Sequence, residues 1–106
     1  MCEVGLRAVG ISYPIFSRIE DDLGSTLRPH TEGWWKREGE ALVRINSAGL
    51  RDRAHAMPKP DHVLRIAVLG DSFAEAMQVP MEDTFWAVAE REIRTCTAMG
   101  GREPEV

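Results

Sequence analysis

Leu64-Arg65-Ile66-Ala67-Val68-Leu69 is a nearly continuous apolar run that stops abruptly at Gly70-Asp71-Ser72-Phe73. Alternating apolarity would suit a strand wetted on one face. Continuous apolarity suits a strand covered on both, as in a parallel sheet with helices on either side. Gly70 lets the chain turn hard where that strand ends, and catalytic groups of open α/β sheets gather at the carboxyl ends of their strands. The run therefore predicts an α/β fold and a turn that presents the hydroxyl of Ser72.

The flanking segments extend this reading. Met57-Pro58-Lys59-Pro60-Asp61 is a linker, because two prolines cannot continue a helix or a strand interior. It divides the chain into 1–60, an N-terminal extension with a short helix, loops and a β-hairpin, and 61–106, the start of an α/β domain. Asp83 or Thr84 caps a helix expected from about Phe85 to Thr95, with Phe85, Val88, Ala89 and Ile93 on one face. Gly100-Gly101 and Pro104 break the chain, and Glu105-Val106 opens a second strand. One strand and one helix cannot cover both faces of a buried sheet. The expected architecture is thus an incomplete three-layer α/β/α sandwich, flavodoxin-like, with the chain cut short.

In the first half, Val4, Ala8 and Ile11 have helical spacing, without a cap residue before them. The pattern suits either a frayed surface helix or the tail of a longer one preceded by a membrane anchor. Tyr13-Pro14 ends this segment. Residues 17–33 are rich in Asp, Gly, Ser, Thr and Pro and read as loop. A β-hairpin follows, with Gly33 to Arg37 as one arm, Glu38-Gly39-Glu40 as the turn, and Ala41 to Asn46 as the other. In the second arm Ala41, Val43 and Ile45 alternate with Leu42 and Arg44.

Composition removes several function classes. The 106 residues carry a net charge of −4 with both signs interspersed, which offers no basic footprint for nucleic acid and no polybasic membrane patch. Cys2 and Cys96 sit near opposite ends without metal-ligand spacing and read as free thiols. No metal or cofactor is expected. The acidic, cysteine-poor composition suits a bacterial cytoplasm, and an upstream anchor would instead make the protein membrane-anchored or periplasmic.

Ser72 is the candidate nucleophile. Such a serine needs an exposed hydroxyl, a base and donors for the oxyanion. The turn supplies the first and, through the backbone N–H of Ser72, part of the third. The alternative is a helix N-cap or turn serine without chemistry. Gly70 and Asp71 support the turn, Asp71 by accepting hydrogen bonds from its backbone N–H groups. Trp34 and Trp35 read as core or flap packing rather than a sugar platform. His30, His55 and His62 read as surface loop residues, Asn46 and Arg51 as turn and salt-bridge residues or, alternatively, as shaping the rim of a cleft, and Met77, Met81 and Met99 as gap fillers.

The pattern is not Gly-x-Ser-x-Gly, since Ala74 stands at the last position, and it is not a phosphate loop, since no lysine-serine pair follows. Ile66-Ala67-Val68-Leu69-Gly70-Asp71-Ser72-Phe73 instead resembles the first block of the SGNH (GDSL-like) hydrolase family. Arg44-Ile45-Asn46-Ser47-Ala48-Gly49-Leu50-Arg51-Asp52 resembles the Asn-x-x-Gly-Leu/Phe-Arg segment that precedes the catalytic domain in many bacterial members, with Leu23-Gly24 and Arg28-Pro29 before it. The resemblance spans most of residues 20–95. It implies a three-layer sandwich around a five-stranded parallel sheet, with Ser72 as nucleophile and oxyanion donor. It also implies a second-block glycine, a third-block asparagine and an Asp-x-x-His block supplying the base. None of these has a counterpart, and all three histidines precede Ser72.

Three functions follow as expectations. The first is the N-terminal portion of a serine esterase or acyl hydrolase, nearly inactive by itself, whose substrate is an ester- or acyl-bearing small molecule or carbohydrate. The second is an O-acyltransferase acting on a polysaccharide. The third is a non-catalytic interaction or anchoring module.

Overall fold

The computed structural model describes residues 2–11 and 14–106. Met1 and Tyr13, and with Tyr13 the expected end of the first segment, lie outside the described residues. Helix α1 (Cys2–Ala8) has no buried residue. Two antiparallel hairpins follow. The first joins β1 (Ser17–Glu20) to β2 (Gly24–Leu27), and the second joins β3 (Glu32–Trp35) to β4 (Ala41–Arg44). After the proline linker come β5 (Val63–Arg65), the one-turn helix α2 (Ser72–Glu75), a 3-10 turn over Met81–Asp83, helix α3 (Phe85–Arg94) and β6 (Glu103–Glu105), which pairs parallel to β5. No helix among the described residues is long and apolar enough to cross a membrane.

The expected three-layer α/β/α sandwich is not formed. The described strands make three separate two-stranded sheets, two antiparallel and one parallel. The parallel ladder spans three residues on each strand and is flanked by two further bonds, Glu103 N–H to His62 O at 2.9 Å and Ile66 N–H to Glu105 O at 2.7 Å. From Ala67 to Gly70 the run leaves the ladder. Ile66, Val68 and Leu69 are 37%, 38% and 92% exposed rather than doubly covered. Two-sided burial of a continuous apolar run needs a neighbouring strand and a helix layer over those residues. The dimensions agree with this correction. The radius of gyration is 16.7 Å, against about 13 Å for a compact chain of this length. The accessible surface is 7943 Å², against roughly 6,000 Å² for a compact monomer of this mass.

Residues 17–33 are not a loop. Asp21-Asp22-Leu23 turns the chain between β1 and β2, and the pairing runs from Ser17 with Leu27 to Glu20 with Gly24. The second hairpin occupies the expected region with arms shorter than expected. Its alternation turns Ala41 and Val43 inward, and Ile45 continues the buried face beyond β4.

The core joins parts far apart in sequence. Phe16, Val43, Ile45 and Met77 form one buried cluster, with Leu27 and Trp35 packed on it. The Trp35 ring lies 6.1 Å from that of Phe16, tilted at 50°, a separation suited to an inclined aromatic pair. Met77, two residues past the end of α2, brings the second half of the chain against the hairpins. Helix α3 starts where Thr84 accepts from Ala87 N–H at 3.3 Å and donates to Met81 O at 2.7 Å. Its Trp86 is buried.

Phe16→Ala should lower unfolding free energy by about 3 kcal/mol. Ile19→Ala, at a position 89% exposed, should cost under about 1 kcal/mol. Urea unfolding followed by tryptophan fluorescence measures both, and equal losses would refute the core described above.

Candidate functional site

A helix of four residues has no intrinsic stability, so α2 must be held by its surroundings. At its start Asp71 is the N-cap, its Oδ1 accepting from Phe73 N–H at 3.0 Å. Asp71 O accepts from Ala74 and Glu75 N–H at 3.0 and 3.1 Å. At its end Ala76 adopts a left-handed conformation, φ 48°, and its N–H donates to Ser72 O. Trp86 Nε1 donates to Ala74 O at 3.0 Å. The Arg51 guanidinium donates to Glu75 O at 2.6 Å, to Ala76 O, and to Val79 O at 2.6 Å. Arg51 is 6% exposed.

Gly70 is required by close approach. A Cβ there would lie 2.6 Å from Ala74 Cβ, which has no flexible end to move aside. Asp71 and Ser72 are exposed. Since Asp71 takes the cap, Ser72 occupies the first helical position instead. Among the described residues its Oγ has no hydrogen-bond partner, and its backbone N–H has no acceptor. This geometry leaves the hydroxyl free for chemistry. Of the two alternative roles for Ser72, N-cap or turn serine without chemistry, the first is taken by Asp71.

A cavity of about 470 Å³ opens beside the turn. Gly70 and Ala74 line it together with Leu50, Ile66, Val68 and Trp86, whereas Ser72 does not. His55 and Asp52 stand on its wall. His55 is not a surface loop residue, because its side chain is only 15% exposed between two carboxylates. Nε2 lies 2.6 Å from Asp52 Oδ2. Nδ1 lies 3.2 Å from Glu105 Oε2 but is not aligned for a hydrogen bond. With both ring nitrogens turned toward carboxylates, His55 makes no contact with Ser72 Oγ. His30 and His62 are exposed, as expected.

Arg51 was expected as a turn or salt-bridge residue and is instead a buried ligand of carbonyl oxygens. Asn46 builds the turn before it. Its Oδ1 accepts from Ala48 and Leu50 N–H at 2.9 and 3.0 Å, and its Nδ2 donates to Arg53 O at 3.0 Å. Gly49, at φ 77°, supplies the left-handed step. Trp34 is 52% exposed, while Trp35 packs on Phe16 and donates from Nε1 to Arg37 O at 2.7 Å.

A second polar set ties the linker to the parallel strands. Arg65 Nε donates to Glu105 Oε2 at 2.7 Å, and its NH2 to Ala56 O at 3.0 Å. Arg53 and Arg94 reach Glu90 at 2.7 and 2.9 Å, and Val106 N–H donates to Glu90 Oε2 at 3.0 Å. Burial alone would raise the Glu90 carboxyl, but the donors Val106, Arg53 and Arg94 outweigh it and hold it below its ordinary value. The hydrogen bond from Arg65 holds Glu105 low as well, against some desolvation. Burial pushes Glu75 the other way, up, with Arg51 opposing and Asp71 adding to the rise. Burial likewise works against the charge of Arg51, which Glu75 supports. No group of three or more His, Cys, Asp or Glu side chains among the described residues could hold a metal ion.

Comparison with protein-family models, curated proteins and solved structures gave no match.

Two outcomes are expected. Gly70→Ala should destabilise the turn by about 1–3 kcal/mol through overpacking. Adding Ala74→Gly should recover part of that loss, a positive coupling that melting of the four-member mutant cycle measures. For Glu90, a depressed carboxyl contributes stability above the ordinary glutamate value of about 4.3 and loses it as pH falls through the depressed value. The raised Glu75 acts oppositely, losing stability as pH rises through its own value. The melting temperature should therefore fall less between pH 6 and pH 3 in Glu90→Gln than in the wild type, and an equal fall would count against the network.

Proposed function

We propose that Ser72 is the nucleophile of a serine hydrolase acting on ester or acyl bonds. The observation that carries this reading is the position of Ser72. It is exposed, first in a one-turn helix whose cap is already supplied by Asp71, with neither its hydroxyl nor its N–H engaged among the described residues. The Gly70-Asp71-Ser72-Phe73 block and the Asn46-to-Arg51 segment, which resemble the SGNH hydrolases, support it further.

The chemistry divides into two steps. Ser72 Oγ attacks the acyl carbon while a general base removes its proton, and the N–H of Ser72 donates to the oxyanion that forms. Collapse expels the alcohol, protonated by the same group, and leaves acyl-Ser72. Water then releases the acid by the reverse route. The reading requires an imidazole at Ser72, which His55, locked between Asp52 and Glu105, does not supply. The resemblance assigns this task to an Asp-x-x-His block downstream.

The product of the complete reading frame should react with a fluorophosphonate probe at Ser72, and Ser72→Ala should abolish the reaction. Peptide mapping of the label tests both. Label that persists in Ser72→Ala, or a wild type that takes none, would overturn the assignment.

A further inference from the structure

We propose that Arg51 is a positioning residue for Ser72, holding the catalytic turn from behind by binding the carbonyl oxygens at the end of α2. The inference rests on the hydrolase reading and adds a residue that acts through Ser72 rather than on substrate.

One turn of helix makes almost no internal hydrogen bonds, so the direction of its axis is set by whatever binds its ends. Asp71 binds the first end locally. The last end offers Ala74 O, Glu75 O and Ala76 O, and beyond it Val79 O. Trp86 takes the first of these and Arg51 takes the other three. Arg51 comes from the Asn46–Arg51 turn, 24 to 28 residues earlier. It therefore refers the position of α2 to the hairpin core through Ile45, and not merely to its own neighbours.

The residue type matters. A planar guanidinium spreads its donors in a fork and can reach carbonyls on separate turns of chain at once, whereas an ammonium concentrates its donors at one point. A positive group at the C-terminal end of a helix also matches the direction of the peptide dipoles. Arg51 is 6% exposed, and Glu75 is only half-buried nearby. The guanidinium meets carbonyl oxygens here instead of pairing with a surface carboxylate.

The lever is short. Four residues of helix span about 6 Å at 1.5 Å per residue. A tilt at the Arg51 end is transmitted to Ser72 Oγ with little attenuation. A misplacement of about 1 Å in a reacting group costs roughly 100-fold in rate.

The test uses the complete reading-frame product, with fluorophosphonate labelling followed to completion in wild type, Arg51→Lys, Arg51→Ala and Ser72→Ala. Amide exchange of residues 72–79 is measured in parallel. The expected result is a labelling rate constant lowered roughly 100-fold in Arg51→Ala and less in Arg51→Lys. The final label should remain near one per chain, with exchange faster at 72–79 and unchanged in β3 and β4. A loss of final label at unchanged rate constant would mean that Arg51 only keeps chains folded, and would overturn the positioning role. So would an unchanged rate in Arg51→Ala, or unchanged exchange. Labelling of wild type but not Ser72→Ala, with Arg51 variants unaffected, would defeat this proposal and leave the hydrolase reading standing. A wild type that takes no label, or a Ser72→Ala that still does, would defeat both.

Discussion

A buried guanidinium bound by peptide carbonyls joins the two halves of this chain. Arg51 has left water, so every hydrogen bond it forms replaces one lost to solvent, and a missing partner would carry the full desolvation cost. NH1 and NH2 meet that demand with Glu75 O, Ala76 O and Val79 O, whereas Nε, buried without a partner among the described residues, does not. The rest of the interface follows from this anchor. With residues 75–79 held there, Met77 falls among Phe16, Val43 and Ile45. Gly39, in the β3–β4 turn, then comes so close to Gln78 that a Cβ would collide with its carbonyl oxygen. Hydrocarbon packing and the carbonyl clamp thus reinforce one another across the same contact.

The opposite end of the second half is held differently. Arg53 and Arg94 are about half exposed, and exposed pairs are individually weak, while Arg65 is more enclosed. Glu90 gathers Arg53, Arg94 and the N–H of Val106 on one carboxylate that is only 12% exposed. Glu105 gathers Arg65 and faces His55. A network of this kind compensates for the shortness of the β5–β6 ladder. Three paired residues per strand would otherwise have to hold α3 and β6 in place alone.

The legible parts of the sequence were those whose signal is local. The alternation of Ala41, Val43 and Ile45 marks β4. Thr84 followed by an amphipathic stretch marks α3, because both the cap and the apolar face lie within a few residues. The first hairpin was hidden by its composition: β1 holds one apolar residue, Ile19, which is exposed, so neither strand shows the alternation of a half-buried segment. Arg51 and His55 were misread for a deeper reason. The partners of Arg51 are backbone carbonyls, which every residue carries, so no side chain in the sequence announces them. His55 is enclosed in part by Glu105, fifty residues away. The extent of the sheet failed for the same reason. An apolar run states that a strand prefers cover, but cover is supplied by other elements: Ile66 and Val68 are covered only in part and Leu69 is left 92% exposed.

The capping of α2 bears directly on the serine. Asp and Ser are both good N-caps, and either one could have satisfied the first turn. Had Ser72 been the cap, its oxygen would have been committed to an amide two or three residues on, and the turn would have begun one residue later. With Asp71 as cap, its Oδ1 accepts from Phe73 N–H. The hydroxyl next to it is released, and the N–H left over is that of Ser72 itself. Gly70 permits this by letting the chain pass within contact distance of Ala74 before the helix starts. The order Gly-Asp-Ser therefore has a physical sense in this chain: close approach, cap, then a free hydroxyl, each step depending on the one before.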